Sequence, residues 1–194
     1  MLKKISVFIL KIFGWKLIDN QPEETKYVAI GAPHTSNWDF PLGLLCLSAL
    51  GLKFNWAGKD SIFAGPLKYI FKSIGGIPVN RRSPKTFLKD IVEQFNKRNK
   101  MILAIAPEGT RSKTSYWKPG FYYLAMEAKV PIALGFVDFK TKTTGIGEVL
   151  YPTGDIEKDF EIIKEFYKNK TGKCPEKQSD LKIKSSKSIE ARIK

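Results

Sequence analysis

Residues 101–107 read MILAIAP, an almost continuous apolar run. A strand with one face in water alternates polar and apolar side chains. An unbroken apolar run of this length suits a strand buried on both faces, as in a sheet covered by helices on either side. Further strands read over 26–33 (KYVAIGAP), 54–60, 76–81 and 131–140, and TTGIGEVLYPTG suggests one or two short ones. Helices read over 38–52, 65–76, 83–100, 120–129 and 155–170. In 83–100, Phe87, Ile91 and Phe95 recur at spacing four, the stripe of an amphipathic helix. Ser36 or Asn37 is the expected cap of the helix over 38–52, and Gly75 and Gly76 close the one over 65–76. Strands alternating with helices predict an α/β fold with a mixed central sheet covered by helices. The 194 residues suffice for one domain with a proper core, assigned to 26–170.

The first segment, MLKKISVFILKIFGWKLIDN, stands apart from that pattern. Its apolar run breaks at Lys11 and no small-residue cleavage site follows, so it does not read as a signal peptide. It is also shorter than the about 20 apolar residues that span a bilayer. On a helix, Lys3, Lys4 and Lys11 share a narrow polar stripe, while Phe8, Ile9, Ile12, Phe13 and Leu17 fill most of the rest. Residues 1–20 are thus expected to be an amphipathic helix in a membrane interface, with Trp15 and the lysines at headgroup level. The alternative is a terminal helix packed on the domain. A polar linker, DNQPEET, follows. At the other end, the segment from Lys170 carries eight Lys or Arg and few apolar residues. Residues 171–194 read as a mobile basic tail and a second possible anchor.

Net charge is +14, from 33 Lys and Arg against 19 Asp and Glu. Such an excess seeks anions: nucleic acid, anionic membrane or phosphorylated substrate. Most of it is Lys, whereas base-edge readout in DNA favours Arg, so the charge points to anionic membrane and not to nucleic acid. Cys46 and Cys174 make no disulfide framework, and no Cys/His cluster has metal-ligand spacing. A reduced, cytoplasmic setting is expected, with no metal and no cofactor.

The sole histidine lies in PHTSNWDF, residues 33–40, with Asp39 five positions beyond His34. Positions five apart on one helix diverge, so the two can meet only if His34 precedes the helix and Asp39 lies in its first turn. An aspartate on one ring nitrogen would fix the tautomer and leave the other nitrogen as a base. GxSxG is absent, so a substrate hydroxyl is a better target for that base than a protein one. The alternative is a structural histidine capping a helix. Two other stretches end apolar strands with charge: GGIPVNRR with Arg81 and Arg82, and APEGTRS with Glu108, Gly109 and Arg111. Sites in α/β sheets gather at the carboxyl ends of strands. Strand-end arginines suit bidentate phosphate binding, Glu108 suits a polyol hydroxyl, and Gly109 permits close approach of an anion to backbone N–H groups.

In this order and spacing, these blocks resemble the glycerolipid acyltransferase family, the bacterial lysophosphatidate acyltransferases and their relatives. His34 and Asp39 match that family's H-x4-D. Gly75, Val79 and Arg81 match its Gly-x-x-(Phe)-(Ile/Val)-x-Arg block, with Pro78 where an aromatic is usual. Pro107 through Ser112 match Pro-Glu-Gly-Thr-Arg-Ser, with Ala106 in place of Phe. Val130, Pro131 and Ile132 match a Val-Pro-Ile strand. The resemblance covers about 26–140. Pro33 also departs, standing where many members have Asn.

The resemblance implies a glycerol-3-phosphate acyltransferase-like fold and transfer of a fatty acyl group from an acyl thioester to a lysophospholipid hydroxyl. It implies His34 as general base, Asp39 as its orienting group, and no acyl-enzyme. Arg81, Glu108, Gly109 and Thr110 would bind the acceptor's glycerol phosphate, helped by Arg111. The donor would be acyl-CoA or acyl carrier protein, and the protein would sit peripherally on the cytoplasmic face of the cell membrane. Two rival readings use some of the same features. A thioesterase-like hydrolase would use the same histidine on water. A non-enzymatic basic peripheral protein would account for the charge but not for the three strand-end blocks. A P-loop enzyme is excluded, since no GxxxxGK[ST] is present.

Overall fold

The computed structural model describes residues 2–79 and 84–183. A seven-stranded sheet forms its centre. In chain order its strands are β1 (Lys16–Asp19), β2 (Lys26–Ala32), β3 (Asn55–Lys59), β4 (Gly76–Val79), β5 (Met101–Ile105), β6 (Ile132–Asp138) and β7 (Thr143–Leu150). They lie side by side as β1-β7-β6-β2-β5-β3-β4. Every pairing is parallel except β6 with β7, so the sheet is mixed, as expected. The helices are α1 (Leu2–Ile12), α2 (Asp39–Ala49), α3 (Lys68–Ser73), α4 (Pro84–Lys97), α5 (Gly120–Ala128) and α6 (Ile156–Tyr167), with a 3-10 turn at Asp60–Phe63 before α3.

The apolar run of β5 meets core on both faces of the sheet. Met101 and Leu103 of β5 point to one side of the sheet, where they meet Val28, Ile30, Ile132 and Leu134 and the apolar stripes of α4, α5 and α6. Ile102 points to the other side, where Tyr27, Ala29, Ala133 and Ile146 meet Cys46 and Leu50, at the α2 end. Each wholly buried Ile or Leu there stabilises the fold by about 1.5–3 kcal/mol. The predicted stripe of Phe87, Ile91 and Phe95 packs into the first of these cores.

Two expectations at the chain ends are corrected. Residues 1–20 are not one helix: α1 stops at Ile12, Gly14 turns the chain at φ +74°, and β1 pairs with β7. Leu17, expected on the helix's apolar face, instead packs against the α2-side core. Residues 171–183 are not a loose tail, because their backbone and side chains are hydrogen-bonded to the strand-end loops. Thr171 N–H donates to Asp138 Oδ1 at 3.1 Å and Cys174 N–H to Thr35 Oγ1 at 3.1 Å. Trp117 N–H donates to Lys182 O at 2.7 Å. Composition hid this segment because hydrogen bonds do much of the holding, with only Leu181 and Ile183 packing against the main core. The remainder of that expected tail, 184–194, lies outside the described residues.

Candidate active site

Strands β2, β3, β4 and β5 all run the same way, so their carboxyl ends share one edge of the sheet. The loop after β2 carries His34 and the loop after β5 carries Glu108 through Arg111. β4 ends on the same edge at Val79; Arg81 and Arg82 just beyond it lie outside the described residues.

β2 is driven into the core by Tyr27, Val28 and Ile30, and the chain turns out of it at a cis Ala32–Pro33 bond. His34 follows in the loop, and Asp39 is the first residue of α2. The Asp39 carboxylate is buried, and its Oδ2 is met from three sides. The N–H groups of Thr35 and Ser36 each donate to it at 2.7 Å, and His34 Nδ1 lies 3.2 Å away. The side chains of Ser36 and Asn37 do not cap α2; Ser36 Oγ accepts the Trp38 N–H at 3.2 Å, and Asp39 takes the freed loop N–H groups. Hydrogen bonds to a charged acceptor contribute about 1.5–3 kcal/mol each, so this carboxylate both shapes the loop and fixes the ring. With Nδ1 turned to Asp39, Nε2 is the nitrogen left for chemistry, and His34 lines the cleft described next.

That cleft has a volume of about 1600 Å³. This exceeds the about 300–1,000 Å³ typical of small-molecule pockets. Phe40, Leu44, Leu47, Trp56 and Phe71 make much of its wall apolar. Cations line it as well: Lys59 at the end of β3, Arg111, and Lys118. Thr110 and Gly109 also face it. Cys46 lies in the same wall, but burial pushes its thiol up to about 11, so it stays protonated near neutral pH and is a poor nucleophile.

Glu108 is placed differently from the expectation of a substrate contact. It is 1 % exposed, and it is not part of the cleft wall. Its Oε1 accepts the His34 N–H at 2.6 Å, and its Oε2 accepts the hydroxyl of Ser179. Burial pushes its carboxyl above the usual range, opposed by the Ser179 hydroxyl and the His34 N–H. Glu108 is therefore the tie between the histidine loop, the turn after β5 and the C-terminal segment. The Gly109 N–H is also committed, donating to Ala106 O at 3.0 Å to close the turn. Gly109 has φ +66°, a left-handed backbone conformation that accounts for glycine at this position, and the Lys118 side chain lies over it.

Three contributors carried no signal in the sequence. Ser179 donates to Glu108 and accepts the Thr114 N–H at 3.3 Å. Thr35, buried beside the histidine, receives Cys174 N–H. Lys118 reaches Gly109 from a Trp-Lys-Pro stretch with no recognisable pattern. Only the fold brings these to one place. Among the described residues no group of His, Cys, Asp and Glu is placed to hold a metal ion.

Comparison with known proteins follows the same line. The Acyltransferase family model matches residues 15–133. No curated protein matches the chain. The crystal structure of the 1-acyl-sn-glycerophosphate (LPA) acyltransferase PlsC from Thermotoga maritima is similar in fold, with a TM-score of 0.57 at 16% identity. The match covers 89% of this chain and 80% of that one.

Proposed function

The chain belongs to the acyltransferase family, and on that premise we propose that it moves a fatty acyl group from an acyl thioester to the free hydroxyl of a lysophosphatidate-type lipid. The observation that carries the mechanism is the 3.2 Å approach of His34 Nδ1 to the buried Asp39 carboxylate, on the wall of a large apolar cleft. His34 Nε2 takes the acceptor's hydroxyl proton as the oxygen attacks the thioester carbonyl. The tetrahedral intermediate collapses with cleavage of the C–S bond, and the imidazolium returns its proton to the leaving thiolate. Asp39 holds the ring in one tautomer and stabilises the imidazolium. No covalent acyl-enzyme is involved.

The apolar wall suits acyl chains, and Lys59, Arg111 and Lys118 suit the acceptor's phosphate, with Arg81 as a further clamp and Thr110 as a hydroxyl partner. Glu108 acts by positioning His34 and not by touching the acceptor. The donor is acyl-CoA or acyl carrier protein. The protein works peripherally on the cytoplasmic face of the cell membrane, held by α1. Two facts support that last point. No described helix is long and apolar enough to cross a membrane. And α1 turns Ser6 and Leu10 inward while leaving Leu2, Phe8 and Ile12 outside, the reverse of a helix held by its apolar face.

The test is incubation of the purified protein with a labelled acyl thioester and a panel of lysophospholipids and neutral alcohols. A new lipid ester with a phosphorylated acceptor is the expected product. Free fatty acid alone would establish the hydrolase instead, and no consumption of thioester would leave only a peripheral binding protein.

A further inference from the structure

We infer that the whole α1–α2–α3 side of the sheet is a membrane-docking surface, and that the segment from Asp60 through Ser73 is a second point of insertion beside the cleft. This extends the α1 contact proposed above, and its test separates the two.

The three helices share one side. α1 lies on the end of α2, with Ser6 Oγ donating to Ser48 Oγ at 2.9 Å and Lys3 Nζ to Leu50 O at 3.4 Å. In β3, Ala57 packs into the core on the α4–α6 side, so Trp56 points to the α2 side. There it meets Phe40 of α2 at 4.8 Å, Phe63 at 5.6 Å and Phe71 of α3 at 5.9 Å between ring centroids. The inward anchors of the 60–73 segment are thus Phe63 and Phe71.

What remains outward is apolar. Leu67, Tyr69 and Ile70 are exposed, Tyr69 by 70 %, and Ile62 and Ile74 flank them. On α1, Leu2, Phe8 and Ile12 are exposed, and Phe13 just after it is 65 % exposed. Trp38, at the start of α2 beside the histidine loop, is exposed too, with Lys173 Nζ 4.7 Å over its ring. A patch of this extent on one side marks a binding surface and not scattered surface residues.

Charge says what covers it. Lys3, Lys4, Lys11, Lys59, Lys68 and Lys72 ring these elements, against Asp60 as their only exposed carboxylate. The opposite side of the sheet is different. There α4, α5 and α6 expose Asp90, Glu93, Glu127, Glu157, Glu161 and Glu165, several paired with lysines of their own helix. Apolar side chains within a rim of lysine fit an anionic bilayer surface, where each lysine also adds attraction. The cleft is continuous with this surface, because Ile62 and Phe71 of the same segment form part of its wall. A lipid chain can pass from bilayer to His34 along it without crossing water.

The experiment is co-sedimentation of the full chain with phosphatidylcholine vesicles containing phosphatidylglycerol, comparing wild type with Leu67→Asn/Ile70→Asn, Phe8→Asn/Ile12→Asn and, on the opposite side, Ile162→Asn. Removal of two inserted side chains at the second point should weaken partitioning by about 10-fold or more. The α1 pair should weaken it separately, and Ile162→Asn should not. Turnover of short-chain, monomeric substrates should be unchanged in Leu67→Asn/Ile70→Asn, so failure of docking and failure of the acyl-transfer reading are distinguishable. Unaltered partitioning of Leu67→Asn/Ile70→Asn, or an equal loss in Ile162→Asn, overturns the inference. Should the double variant unfold by circular dichroism, Ile70→Cys in a Cys174→Ser background, labelled with an environment-sensitive fluorophore, gives the same answer. A blue shift with vesicles supports insertion and its absence rejects it.

Discussion

The backbone N–H of His34 donates to Glu108 Oε1 at 2.6 Å, so the position of the proposed base is set by a carboxylate on a different strand-end loop. The other oxygen of that carboxylate is held by Ser179, from a third part of the chain. The base is therefore oriented twice: its ring by Asp39, and its backbone by Glu108.

His34→Ala should lower turnover by about 10² to 10⁴ while the circular dichroism spectrum stays native. Asp39→Asn should also slow turnover, since an amide cannot stabilise the imidazolium. Steady-state kinetics with a thioester donor measures both. Near-normal rates in His34→Ala would remove the base assignment.

Ser179→Ala should destabilise the fold by about 1–3 kcal/mol, because a buried carboxylate oxygen loses its donor. It should also lower kcat by roughly 10-fold, less than the 10²-fold that a 1 Å misplacement costs. Ser179→Thr, which keeps a hydroxyl, should restore kcat. Restored stability without restored kcat would confine Ser179 to a structural role.

Glu108→Gln isolates a pH effect. In the folded chain burial raises this carboxyl above its ordinary 4.5. The folded state then binds the proton more tightly than the unfolded one, and that contribution is complete below the unfolded pKa and lost as pH rises through the folded value. Glutamine retains an acceptor for His34 N–H but does not titrate. Wild type should thus lose stability relative to Glu108→Gln as pH rises from about 4.5 toward neutrality, read from urea midpoints. A constant difference across that window would contradict the burial argument.

Arg81→Ala should raise KM for a phosphorylated acceptor far more than for a neutral alcohol. Competition assays with matched acceptors distinguish a phosphate clamp, which predicts selective loss, from a general effect on the fold, which predicts equal loss.

Gly145→Ala tests the sheet. Gly145 has φ +149°, and a Cβ there would lie 2.0 Å from Ile18 O on the neighbouring strand β1. The backbone must move, at a cost of about 1–3 kcal/mol, and β1 should lose its pairing with β7 first. Hydrogen exchange of the Lys16–Asp19 amides is the readout; unchanged protection would refute it.

Local chemistry alone determines a good deal of this protein. A short apolar run such as MILAI, set among helix and strand signals that alternate along the chain, suits a strand with core on both faces, and β5 is one. The stripe of Phe87, Ile91 and Phe95, with Lys89 and Glu93 at the intervening positions, fits a helix and not a strand, and His34 can meet Asp39 only across a helix start, as it does. Contacts that depend on long-range return of the chain were not legible. Residues 171–183 look like solvated tail by composition, yet they close over the strand ends because their hydroxyls and backbone groups satisfy buried partners there. Glu108 reads as a ligand for substrate, and only its burial between His34 and Ser179 shows it to be an internal tie. α1 has an apolar majority from sequence alone, but which side faces outward depends on what it docks against, and Ser48 on α2 decided that. Periodicity fixes what a segment can be; the partner it packs on fixes which of its faces is left for function.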